Sequence, residues 1–386
     1  MSDNQIGGKL FSEGAYGCVF YPSFFNKSKM KYVSKIQKNS FSSKNEIRMG
    51  EIIKQQPFSL NHFVPVVQSV PINVSKIDDE DVNNCTILKK YKDSDFLNMK
   101  IFYVDGKNFL DYIISSKSSD FNFVNLLIDC YNHLLNSLNM LTELKIVHYD
   151  LKGNNIMINN VNNLPLVLDF GLSINMDELK IDLLDKFFYV YAPEYSPWAL
   201  EIHYISFLLK INREPSMKDL ETMVDRYIEN ETNPIGILFS DNFVERFKKL
   251  SLNQLIKYKN MGYTDSITYI LSHWKTWDNF SLSVIYLNIF YYIYGKKKIP
   301  KQDFIKIILE ILLLNVHPNP EMRLSIRETV LIFNDKLMNF VQNLNNFKFI
   351  MNLNRDFVEN KDEFKKRRNI QQTLMNTMTK KNKKYN

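Results

Sequence analysis

Residues 148–155 read His-Tyr-Asp-Leu-Lys-Gly-Asn-Asn, and Leu168-Asp169-Phe170-Gly171 follows, with Asp169 fourteen positions after Asn155. Two carboxylates, a carboxamide and a lysine are residue types that suit phosphoryl transfer. That chemistry asks for a carboxylate near the attacking hydroxyl, a second on a divalent metal, another oxygen ligand to the metal, and a cation to offset developing charge. Asp150, Asp169, Asn155 and Lys152 offer one of each. His148 has the chemistry of a general base, but in this setting it reads as a packed core histidine.

Elements upstream would have to position these groups. Phe11-Ser12-Glu13-Gly14-Ala15-Tyr16-Gly17-Cys18-Val19 reads as strand, turn and strand, with glycines that let backbone amides approach phosphates. Taken alone, such a Gly-x-x-Gly is an ordinary hairpin. Lys35 lies in the alternating run Lys31–Ile36, as on a third strand. From Glu46 to Ile53, apolar residues recur at offsets 1, 3 and 7, the pattern of a helix with one buried stripe. Asp120 is placed to cap a long amphipathic helix from Phe121 to about Leu144, with Leu126, Leu127, Cys130, Leu134, Leu135, Leu138 and Leu141 on its apolar face. That helix would deliver the loop at His148.

In this order the blocks resemble the protein kinase superfamily, of the Ser/Thr type, over residues 10 to about 335. The resemblance implies an α+β, two-lobed protein-kinase-like fold, with a small β-rich N-lobe (about 5–103) and a larger, mainly helical C-lobe (about 104–340). It implies ATP and Mg2+ as cofactors, with Mn2+ as an alternative, and protein substrates phosphorylated on Ser or Thr. Asp150 would act as base or hydroxyl-orienting carboxylate, Lys152 would steady the transferred group, and Asn155 and Asp169 would hold the metal. Lys35 would reach the α and β phosphates and pair with Glu46, preferred over Glu51. Residues 11–19 would cover the phosphates. Adenine would bond to the backbone of residues 102–104 behind Ile101 as gatekeeper, with Phe11, Val19 and Val33 above it and Met157 below, so that Phe102 and Val104 join the nucleotide site. Ala192-Pro193-Glu194 would close the activation segment, with Glu194 paired to Arg323 in a buried ion pair.

Several positions depart from the family pattern. Ser12 stands for the first glycine, Tyr149 for an arginine that binds an activation-segment phosphate, and Phe187 for a threonine that contacts the catalytic Asp and Lys. The signature of the central helix, Asp278-Asn279-Phe280-Ser281, comes about eighty residues after Glu194, which leaves an insertion at about 197–277 that is apolar enough to fold as helices. It could dock substrate or be embellishment. Ser12, Tyr149 and Phe187 keep a second reading open, a nucleotide-binding pseudokinase or scaffold; Lys152 and Arg323 argue against a third, a small-molecule phosphotransferase. The composition, rich in Asn, Ile and Lys, is similar to divergent kinases of large DNA viruses, and also fits any AT-rich genome.

The 386 residues are 45% hydrophobic and 24% charged, which is a folding composition. Residues 361–386 carry nine Lys or Arg against Asp362 and Glu363, a net +7, while residues 1–360 balance at 40 of each sign. A basic block of this kind in an extension (341–386) is expected to be a solvated, disordered tail; contact with nucleic acid or an acidic surface is the alternative. Cys18, Cys85 and Cys130 are odd in number and far apart, so no disulfides are expected and a reducing, intracellular setting, cytoplasmic or nuclear, or a virion if viral, fits best. The amino terminus lacks a secretory pattern, and Phe280–Tyr294 is short for a membrane span.

Overall fold

A computed structural model describes residues 8–14, 16–25, 31–115, 120–294 and 303–341. Ala15 and the basic block at 361–386 lie outside these residues, as do the side chains of 120–125, including the expected cap Asp120. The chain divides into two compact units, one running to Asn108 and including Asn155–Asn175, the other comprising Phe109–Asn154 and the chain from Met176 onward.

The first unit is β-rich. Its elements are β1 (Lys9–Glu13), β2 (Gly17–Tyr21), β3 (Tyr32–Lys38), α1 (Phe41–Lys54), β4 (Phe63–Val64), β5 (Val66–Ile72), α2 (Asp79–Asn84), α3 (Thr86–Lys90), β6 (Phe96–Phe102) and β7 (Gly106–Asn108). After the second unit's α4 (Phe109–Ser115), α5 (Asp120–Glu143) and β8 (Ile146–Val147), the first unit resumes with β9 (Ile156–Asn159), β10 (Pro165–Leu168) and β11 (Ile174–Asn175). A five-stranded antiparallel sheet runs β1-β2-β3-β6-β5, and a four-stranded sheet runs β4-β10-β9-β7. The β-rich unit takes in β7, which pairs with β9 from Gly106↔Asn159 to Asn108↔Met157.

Register sorts the large sheet into two faces, since side chains alternate along each strand. Val19↔Lys35, Val33↔Ile101 and Lys35↔Met99 are paired, so these residues share one face. Cys18, Phe20, Ile36 and Phe96 occupy the other, where Val82, Cys85, Ile87 and Leu88 of the α2–α3 segment close a buried apolar cluster over them. The close approach of β2 to β3 explains one glycine: a Cβ on Gly17 would lie 2.3 Å from the Ile36 carbonyl oxygen.

The covering segment corrects the cysteine reading. Cys18 and Cys85 form a disulfide across 67 residues of sequence, with their Cα atoms 6.2 Å apart. Spacing along the chain hid the pair because α2–α3 folds back onto the strand that holds Cys18. Cys130 is a buried free thiol, pushed up to about 12 by burial and the nearby Asp129.

The second unit continues with α6 (Leu184–Phe187), α7 (Leu200–Lys210), α8 (Met217–Ile228), α9 (Pro234–Leu238), α10 (Asp241–Met261), α11 (Tyr263–Ser272), α12 (Trp277–Tyr294), α13 (Asp303–Asn315) and α14 (Ile326–Val341). Helices α7 to α11 lie within the stretch expected to be an insertion, and α12 is buried along most of its length. Among the described residues no helix is long and apolar enough to cross a membrane.

Candidate active site

In the β-rich unit the chemistry gathers on Lys35. Its Nζ lies 2.8 and 2.9 Å from the two carboxylate oxygens of Glu46 and 3.0 Å from Asp169 Oδ1. Strand β3 aims the lysine, and the buried stripe of α1 aims Glu46, which is 3% exposed. Ser40 starts α1 with a reciprocal cap to Ser43, so the helix begins at a fixed place and holds Glu46 in reach. Glu51, the competitor in sequence, is exposed.

Burial works against the charge on Lys35, but the Asp169 and Glu46 carboxylates outweigh it and hold the ammonium above the usual lysine range. Burial pushes the Glu46 carboxyl up to about 7, while Lys35 pulls it the other way. With two hydrogen bonds from one ammonium onto both Glu46 oxygens, the ionised pair is the form the geometry favours.

Asp169 adopts φ 70°, in the left-handed region that a non-glycine residue enters only when its surroundings hold it there. Its neighbours are tied to α1: Asn45 Nδ2 donates to the carbonyls of Gly171 and Ser173, and Ser42 Oγ donates to that of Gly171. Asn155 is buried in the same unit. Its amide oxygen and the Asp169 carboxylate are hard oxygen donors of the kind Mg2+ takes, so the residue types fit that ion.

The expected nucleotide contacts lie in the same unit. Val19, Val33 and Ile101 share the Lys35 face, with Val33 buried and the other two half-buried. Phe102, Val104 and Met157 are half-buried, while Phe11, Ser12, Glu13 and Gly14 are exposed on β1 and its turn and Tyr16 is half-buried. The Gly14 amide donates to the Gly17 carbonyl at 2.8 Å and closes the turn. Glu13 accepts a hydrogen bond from the Thr86 amide at 2.9 Å, so the hairpin that carries Cys18 is held to α3 by a polar contact as well as by the disulfide.

In the helical unit, Lys152 Nζ donates to Asp150 Oδ2 at 2.7 Å, and Asp150 is 5% exposed. The loop beneath it is strained and held: Tyr149 has φ 68°, its amide and that of His148 donate to the Asp278 carboxylate at 3.0 and 2.7 Å, and its carbonyl accepts from Trp198 Nε1 at 2.6 Å. Asp278 lies in the first turn of α12, so a largely buried helix anchors the loop directly. His148 is fully buried.

A further site residue escaped the sequence reading. The hydroxyl on Asp150 is that of Tyr195, donating to Oδ1 at 2.9 Å. Phe187, one of the departures noted in the sequence, is buried in α6. The expected Arg323–Glu194 pair is also corrected. Arg323 binds Glu201 through NH1 and NH2 at 2.5 and 2.9 Å, whereas Glu194 binds Arg226 of α8. Glu201 sits in the first turn of α7, seven residues past Glu194. Nothing in the local sequence marked Tyr195.

No family model matches the chain. Over 103 residues it is 36% identical to a curated protein of Dictyostelium discoideum described as "Probable serine/threonine-protein kinase mkcE"; the match covers 26% of this chain and 14% of that protein. The chain thus spans about a seventh of that relative's length. A β-rich sheet unit followed by a helical one is compatible with a kinase-like fold, and the partial match supports a kinase-like relationship.

Proposed function

We propose that the protein is an ATP-dependent protein kinase that transfers the γ-phosphoryl group of Mg-ATP to Ser or Thr hydroxyls of protein substrates. The observation that carries this reading is the contact of Lys35 with both Glu46 and Asp169, which puts a protonated amine, the glutamate that orients it and a metal-type carboxylate in one cluster. A chain without turnover has no physical need for that cluster together with the Asp150–Lys152 pair.

The roles follow from charge. Lys35 holds the α and β phosphates, and Glu46 keeps its ammonium aimed. Asp169 and Asn155 are the residues that would hold Mg2+, which when bound neutralises phosphate charge. Asp150 accepts the hydrogen of the incoming hydroxyl and orients its oxygen. As that oxygen bonds to the γ-phosphorus, the bond from phosphorus to the β–γ bridging oxygen breaks, ADP leaves with that electron pair, and the hydroxyl proton passes to Asp150 or to the transferred phosphate. Lys152 offsets the charge on the transferring group.

The test is incubation of the purified full chain with γ-labelled ATP, Mg2+ and generic protein substrates, followed by identification of the labelled amino acid. Label on Ser or Thr that is lost in Lys35→Met supports the reading. Label on Tyr corrects the acceptor class. ATP-dependent thermal stabilisation without any label favours the nucleotide-binding scaffold instead.

A further inference from the structure

Asp150 is gripped on both carboxylate oxygens from within its own unit. Lys152 holds Oδ2, and Tyr195, 1% exposed, donates its phenolic hydrogen to Oδ1. A carboxylate on a single donor can still pivot about its side-chain torsions; two donors from separate parts of the chain fix it.

The phenol is itself well held. Its ring packs edge-on against Trp198 at 5.1 Å, and Trp198 bonds the Tyr149 carbonyl, so residues 195–198 grip both the side chain of Asp150 and the backbone just before it. The insertion braces that segment at several points. Arg226 pairs with Glu194, Ser196 Oγ donates to the Thr232 carbonyl at 3.1 Å, Tyr227 OH donates to the Trp198 carbonyl at 3.1 Å, and His203 Nε2 lies 3.1 Å from the Tyr195 carbonyl.

We infer that Tyr195 is a positioning residue for phosphoryl transfer: its hydroxyl fixes the orientation of Asp150 toward the substrate hydroxyl, and contacts from α7 and α8 to residues 194–198 brace the tyrosine. This rests on the kinase reading. The hydroxyl touches no reacting atom and acts through Asp150.

The experiment compares steady-state kinetics and melting of the full-length wild type and Tyr195→Phe, then repeats the substitution on an Asp150→Asn background. Phenylalanine keeps the ring against Trp198 and removes only the donor. The expected result is a fall in kcat of about tenfold to a hundredfold, the range a misaligned catalytic group produces, with KM for ATP within about twofold and a melting temperature lowered by no more than a few degrees, the loss of one hydrogen bond to a buried carboxylate. On the Asp150→Asn background the same substitution should change kcat by less than about twofold, because groups that act as a unit are not additive. An active wild type whose Tyr195→Phe variant keeps or raises its kcat overturns the positioning role alone. So does a fall in kcat that persists in full on the Asp150→Asn background or that tracks a loss of folded protein. A wild type that transfers nothing overturns the kinase reading, and the positioning role falls with it.

Discussion

Arg323 and Glu201 meet through two hydrogen bonds, 2.5 and 2.9 Å long, with both side chains 1% exposed. Arg323 also donates from Nε to the His317 carbonyl at 2.7 Å and from NH1 to Thr276 Oγ1 at 3.3 Å. The pair ties the start of α7 to the stretch before α14. Removing one partner leaves the other buried and uncompensated, so Arg323→Ala should cost about 3–5 kcal/mol. Glu194→Ala, which breaks the half-exposed pair with Arg226, should cost about 1 kcal/mol or less. Thermal melts of the two variants check this contrast; equal losses, or a larger loss at Glu194, would contradict it.

Tyr149 presents the opposite case. Its ring lies among Phe188, Trp198 and Trp277, and its hydroxyl is buried with no hydrogen-bond partner among the described residues. Burial holds the phenol far above its ordinary value, with the nearby Asp150 charge acting in the same direction, so it stays neutral. A buried donor left unmade costs about 1–3 kcal/mol. Tyr149→Phe should therefore stabilise the protein, raising the melting temperature on the order of 1–2 °C. A drop of that size would mean the hydroxyl has a partner after all.

His203 supplies a pH dependence. It is fully buried, and desolvation lowers it from 6.5 to about 3, against the hydrogen bond to the Tyr195 carbonyl. The folded protein keeps the neutral ring, with Nε2 donating to that carbonyl and Nδ1 buried without a partner among the described residues. Because the folded value lies below the unfolded one, the contribution to stability is full above about 6.5 and is lost as pH falls toward about 3. Within that window it amounts to roughly 1.4 kcal/mol per pH unit. His203→Gln should flatten the loss of stability between neutral and acidic pH, as read from denaturant melts at stepped pH. Parallel curves for wild type and variant would contradict it.

Much of this architecture could be read from the sequence because it depends on local pattern. Strand alternation around Lys35 and the buried stripe of α1 are short-range features, and together with the kinase resemblance they led to the Lys35–Glu46 contact. The His148–Asn155 block and the Asp278-Asn279-Phe280-Ser281 stretch were legible only through the kinase resemblance. What escaped reading depends on long-range folding. The Cys18–Cys85 bond requires α2–α3 to lie over the sheet, and nothing in the spacing of three cysteines announces that. Glu201 and Glu194 are both glutamates near an apolar helix start, and only packing against Arg323 or Arg226 distinguishes them. Tyr195 reaches Asp150 across 45 residues and reads locally as an unremarkable core aromatic.

The most direct measurement is transfer of the γ-phosphoryl group from labelled ATP to protein by the full chain, beside Asp150→Asn, with ATP binding followed in parallel by thermal shift. The expected result is label on Ser or Thr in the wild type, a loss of at least about a hundredfold in Asp150→Asn, and ATP stabilisation retained in both. Equal labelling by the two proteins, or no labelling by the wild type while ATP still binds, would contradict the assignment of Asp150 and of the protein as a kinase.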